Sequence, residues 1–177
     1  MIGLEDAEII EILRKKIEVP VGRHLYGIIG SYDSLNRFST ESSKAKRIDG
    51  TQFPNPISIN QGLLELFSDV EFRTTVETEA KYPQPTRKTI EDAFDRFIRN
   101  HLKEHGLIIL KDLELVFAYN VNLNPLRTLA ADERKIILLL PGKRSGKAII
   151  MYPNCTEGEN PLPTNLIAED HLWLLEE

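Results

Sequence analysis

Residues 106–153, GLIILKDLELVFAYNVNLNPLRTLAADERKIILLLPGKRSGKAIIMYP, decide the fold. The stretch opens on a continuous apolar run, Leu107 to Leu110, that breaks into Lys111-Asp112, and two more such runs follow at Ile136–Leu140 and Ala148–Met151. Short runs rich in Ile and Leu, without polar alternation, suit strands buried on both faces. Between them Asn124-Pro125 offers an N-cap and a first-turn proline, which predicts a short helix over Leu126–Ala131. Strand, helix, strand is the pattern of an α/β sheet. The loop from Leu140 to Lys147 is too short for a crossover, so Ile136–Leu140 and Ala148–Met151 are expected to form an antiparallel C-terminal hairpin.

Outward from this stretch the chain alternates in the same way. Ile10, Leu13 and Ile17 form one helical stripe, with Glu5, Asp6 and Glu8 near its positive end and Pro20 beyond it. Arg23 to Gly30 is a buried strand ending on glycine, and Ser31 to Ser34 is a turn or a helix N-cap. Residues 39–56, polar and broken by Gly50, Pro54 and Pro56, are expected as a surface loop. Ile57-Ser58-Ile59 is a brief strand, after which Asn60 caps a helix carrying Leu63, Leu64 and Phe67. Residues 70–85 show no clear pattern, and Tyr82 to Pro85 is a stiff connector. A helix is expected from Thr89, with Ile90, Phe94, Phe97, Ile98, His101 and Leu102 at helical spacing and Gly106 as its stop. Residues 154–177 are expected as a tail whose segment His171 to Leu175 packs on the domain or docks on a partner. With helices between the strands and one handedness of crossover, the sheet should be mostly parallel, in a single domain over residues 1–177.

The chain holds 177 residues, 22 basic and 27 acidic, for a net charge of −5. That balance does not favour broad nucleic-acid binding. A single cysteine, Cys155, excludes an internal disulfide framework and a cysteine-based zinc site. No apolar run approaches the roughly 20 residues of a membrane span. These features set the expectation of a cytoplasmic protein with no membrane contact.

Three places invite a nucleotide-binding reading. The strand ending at Gly30 would lead into a phosphate loop, G-x-x-x-x-G-K-[ST], whose small residues let backbone amides surround phosphates. Counted from Gly30, however, Leu35, Asn36 and Arg37 stand where Gly, Lys and Ser/Thr belong. After Leu107–Leu110 a magnesium-holding motif needs an anionic oxygen. The residue there is Lys111, with Asp112 next and Glu114 beyond. Gly142 to Lys147 is one residue short of a phosphate loop and leads into a strand, so it is read as a turn displaying Lys143, Arg144 and Lys147. Gly30, Ser31, Lys111 and Asp112 are thus the candidates for a degenerate nucleotide site, and Lys143, Arg144, Lys147 and Trp173 for partner or nucleic-acid contact. His101 and His105 have H-x-x-x-H spacing, but no carboxylates converge on them in sequence. They are read as a core-edge residue and a helix-end charge, and no metal site is assigned. The serines and Cys155 show no nucleophile elbow.

The runs LIILKDLELVF (107–117), NLNPLRTLA (122–130) and KIILLLPG (135–142) resemble the C-terminal half of the small P-loop-type subunits of BREX phage-exclusion systems, BrxF and more distantly BrxB. In those proteins an apolar strand and a D-x-E segment precede a "DPL" helix and a strand ending in glycine; the matching elements here are Leu107–Phe117, Asn124-Pro125-Leu126 and Ile136–Gly142. The first half agrees only in the order of its elements. The resemblance implies an AAA-like or RecA-like core and a bacterial role in antiviral defence. It also implies contacts with larger subunits: a PglZ-like phosphatase, a methyltransferase or a large ATPase. The missing phosphate-loop and magnesium residues favour an adaptor needing no ATP or magnesium. Two alternatives stay open: an NTPase with an atypical site at Lys111, Asp112 or Lys147, and a nucleic-acid module using Lys44, Lys46, Arg47 and the Lys143-Arg144 turn.

Overall fold

The computed structural model describes residues 3–67, 73–74, 77, 79, 83–146, 148–152, 160–163 and 165–176. Its centre is a sheet in which β2 (Ile57–Ser58), β3 (Leu107–Lys111), β4 (Lys135–Ser145), β1 (Leu25–Gly30) and β7 (Leu172–Leu174) lie side by side in that order, all parallel. The β4 strand aligns Ile136 with Leu25 on one side and with Ile108 on the other. All six residues of β1 and the first seven of β4 are buried, as their unbroken apolar runs require.

Alternation of side chains divides the interior into two cores. Tyr26, Ile28, Ile109, Ile137 and Leu139 face α1 (Asp6–Lys16) and α2 (Tyr32–Lys44). On the other face Leu25, Ile29, Ile108, Leu110, Ile136 and Leu138 meet α3 (Ile59–Glu65), α4 (Pro83–His105), α5 (Glu114–Ala118) and α6 (Pro125–Leu129). This division follows from one handedness: the β1-to-β2 crossover runs out to the far edge, the next two step back, and opposite directions put their helices on opposite faces.

Helix α4 buries Ile90, Phe94, Phe97, Ile98 and Leu102 at the expected spacing. It begins at Pro83, six residues before the expected Thr89, because Pro83 and Pro85 fall in a first turn whose N–H groups need no partner. It stops at Gly106, where φ is +64° and the amide closes the last turn on Leu102 O at 3.2 Å. Helix α3 is capped by Ser58, whose Oγ accepts from Gln61 N at 3.3 Å, and Asn60 lies inside it.

Three further expectations need correction. Residues 39–44 are not loop but the end of α2, whose buried Leu35 and Phe38 carry the helix past the polar stretch; residues 45–56 are irregular and still bury Phe53. The hairpin uses Gly142–Ser145 against β5 (Ala148–Met151), a four-residue extension of β4 beyond the segment that pairs with β1 and β3. Of the two outcomes expected for His171–Leu175, packing on the domain is the one seen: Leu172–Leu174 forms the edge strand β7 beside β1, and upstream β6 (Asn160–Pro161) pairs with β5. Trp173, expected to contact a partner, is instead 7 % exposed, aligned with Ile28 and stacked on Tyr26 at 6.0 Å between ring centroids. Residues 70–72, part of 75–82, Lys147 and Cys155 lie outside the described residues.

No helix among the described residues is long and apolar enough to cross a membrane.

Candidate functional site at the strand ends

In parallel α/β sheets ligands sit beyond the carboxyl ends of the strands, where neighbouring connections leave toward opposite faces. Here that place lies between β1, which leads to α2 on one face, and β4 and β3, which lead to the other. Gly30, Ser31, Lys111 and Asp112 all lie along this edge, although β4 separates the first pair from the second.

The β1–α2 junction is one residue long. Ser31 is the N-cap of α2: its Oγ accepts from Ser34 N at 3.2 Å and donates to Ser34 Oγ at 3.1 Å, while Ser34 Oγ donates back to Ser31 O at 3.1 Å. Ser34 is buried, so these groups satisfy one another. Gly30 is required by close packing rather than by an approaching ligand, since a Cβ there would lie 2.4 Å from Ser34 Oγ. A triphosphate needs several free amides in a loop to surround it. A junction of one residue with its cap already formed does not fit that group.

The β3 end does not fit a magnesium ion either. Lys111 ends the strand in register with Ser58, and its Nζ stands 3.8 Å from Asp112 Oδ2. Asp112 takes φ +55°, a left-handed turn that aspartate tolerates better than most residues. The chain then enters α5, where Glu114 becomes the hub of the edge. Its carboxylate accepts from Tyr32 Oη at 2.9 Å and from Asn60 Nδ2 at 2.7 Å. Asn60 also accepts from Leu115 N at 3.1 Å and donates its own backbone N–H to Asp112 O at 3.1 Å. One carboxylate thus ties together the starts of α2, α3 and α5.

Beside this hub Tyr152 is buried edge-on against Phe117, 5.6 Å between centroids, and among the described residues its Oη makes no well-formed hydrogen bond, the backbone of Leu113 being the nearest candidate. Burial pushes its phenol well above the usual range, reinforced by the nearby Glu114. Tyr119 is pushed up to about 12 by burial and then by its bond to Glu79. A cleft of about 540 Å3 opens next to the hub, lined by Ser58, Asn60, Leu64, Glu65, Asp112 and Glu114. With three carboxylates it repels an anion.

Sequence reasoning missed the Tyr32–Glu114–Asn60 cluster. Its one signal was Asn60 in a capping position beside a strand; the pairing of that amide with Glu114, 54 positions away, had none.

The basic candidates are dispersed. Lys143 is exposed on the hairpin, and Arg144 reaches Glu169 at 3.5 Å and Gly146 O at 3.1 Å. Lys44 is paired with Glu41 at 2.9 Å, Arg47 with Asp49 at 3.2 Å, and the Lys46 carbonyl accepts from Arg14. His101 Nδ1 lies 2.9 Å from Phe97 O, and among the described residues no group of three His, Cys, Asp or Glu side chains is placed to hold a metal ion. No family model, curated protein or solved structure matches the chain.

Proposed function

We propose that this protein is a non-catalytic adaptor, an ATPase-type sheet whose strand ends serve docking, acting as a small subunit of a BREX-type antiphage complex. The observation that carries the reading is the β1–α2 junction of one residue, capped by Ser31, opposite a β3 strand that ends in Lys111. The parallel order β7-β1-β4-β3-β2, with β1 and β3 on either side of β4, is compatible with the AAA-like or RecA-like sheet that the resemblance implies. The defence setting rests on that resemblance, in the second half of the chain. In such a complex the carboxylate-lined cleft, with Leu64 47 % exposed on its rim, suits a basic segment with an apolar anchor. The partner would be a PglZ-like, methyltransferase or large ATPase subunit.

Co-expression with the larger proteins encoded beside it tests this directly. A stable complex that weakens about tenfold in Leu64→Asp/Glu65→Lys, corresponding to about 1.4 kcal/mol, supports it. Magnesium-dependent phosphate release from ATP that disappears in Asp112→Ala would overturn it, as would failure to associate with any such subunit.

A further inference from the structure

At the opposite end of β1 from Gly30, on the face that carries α3 to α6, lies a cavity of about 840 Å3. Three arginines line it from three separate parts of the chain: Arg23 just before β1, Arg127 in α6 and Arg144 in the hairpin. Arg144 has Glu169 within 3.5 Å, whereas Arg23 and Arg127 have no carboxylate within ion-pair distance among the described residues. Among the described residues Glu169 is the one carboxylate in the lining, and its side chain is 84 % exposed, so it can turn to water at little cost. His171, also in the lining, is driven toward its neutral form by burial and by Lys16, against the pull of Asp170. Leu25, Leu162 and Leu172 supply an apolar wall.

This arrangement runs against the rest of the molecule. The chain carries −5, and the cleft at the strand ends is acidic. Three guanidiniums line one concavity, two of them without a carboxylate partner among the described residues, so the lining presents positive charge that a dianion would meet. A guanidinium fork matches two phosphate oxygens at once, and the volume falls within the roughly 300–1,000 Å3 of small-molecule sites. We infer that this cavity binds a nucleoside phosphate or a phosphate ester of similar size, its phosphate held by Arg23, Arg127 and Arg144 and its body laid on the leucine wall. The site needs no metal, because the guanidiniums supply the positive charge. It is independent of the strand-end site and of the adaptor reading.

Titration calorimetry with ADP in EDTA, and with pyrophosphate as the bodiless probe, tests the assignment on the full chain. ADP should bind more tightly than pyrophosphate, and Arg23→Gln/Arg127→Gln should weaken ADP at least about tenfold, the scale of one charge-assisted bond. Arg23→Gln alone, on an exposed residue ahead of β1, keeps the test valid should the double variant fold poorly; it should weaken ADP by several-fold. Absence of ADP binding at millimolar concentration, binding indifferent to these arginines, or pyrophosphate binding as tightly as ADP would each overturn it. Because magnesium is excluded and Asp112 is untouched, none of these outcomes bears on the strand-end reading.

Discussion

If Glu114 is a staple rather than a catalytic carboxylate, removing it should cost stability in an amount set by its two side-chain bonds. In Glu114→Ala the bonds from Tyr32 Oη (2.9 Å) and Asn60 Nδ2 (2.7 Å) are both lost. Bonds to a charged group contribute about 1.5–3 kcal/mol each when shielded. Glu114 is half-buried, and both donors can recover water, so the expected total falls to about 1–3 kcal/mol. For a chain of this size each kcal/mol lowers the melting temperature by roughly 2–4 °C. Urea unfolding of wild type, Glu114→Ala, Tyr32→Phe and the double variant should give a coupling energy of about 0.5–1.5 kcal/mol for the pair. Glu114→Gln, which keeps an acceptor for one donor, should fall between. The reasoning is refuted if Glu114→Ala leaves stability within about 0.5 kcal/mol of wild type, the usual span of a neutral surface change.

Other perturbations separate packing from function. Trp173→Ala should destabilise the protein by about 3–5 kcal/mol, the cost of emptying a buried aromatic site, in unfolding measurements made without any partner; a partner-contact role alone would leave the isolated protein's stability unchanged. Gly30→Ala should cost about 1–3 kcal/mol through overpacking against Ser34 Oγ, and Ser34→Ala in the same chain should recover part of the loss. His24 is 3 % exposed, with Nδ1 2.7 Å from Tyr26 Oη, and burial, then Lys135, hold its pKa below 6.5. His171, its ring 4.7 Å from that of Tyr26, is lowered too, first by burial. In both cases the unfolded chain takes up the proton first, so stability should fall as pH drops below about 6.5 and level off only beneath the folded pKa values. His24→Gln should flatten that acid limb in urea midpoints measured from pH 7.5 to 5; an unchanged slope would contradict the assignment.

The apolar runs made the central strands legible because a strand buried on both faces has almost no alternative reading. Ile108, Ile137 and Ile28 needed only their neighbours in sequence to be placed inside. The edge strand β7 was less legible: only three residues pair with β1, a single bridge from Leu4 flanks them on the other side, and Leu172-Trp173-Leu174 reads equally well as an anchor for another protein. The long β4 was split because its buried half ends at Pro141-Gly142 in a sequence that looks like a turn, while hydrogen bonds continue to Ser145. At the strand ends the sequence showed that Lys111 and Arg37 stand where a nucleotide site would need an anionic oxygen and a hydroxyl. It could not show what occupies that edge, because Tyr32, Asn60 and Glu114 meet only once the sheet order is set. The arginine cavity was invisible for the same reason, its three cations being drawn from positions 23, 127 and 144.

The most direct test is amide chemical-shift mapping with ATP and magnesium. Gly30, Ser31, Lys111 and Asp112 should stay unmoved at millimolar nucleotide, with any shifts confined to the distant cavity around Arg23 and Arg127. Saturable, magnesium-dependent shifts centred on Ser31 and Asp112 would mean that the ends of β1 and β3 hold a triphosphate and its cation.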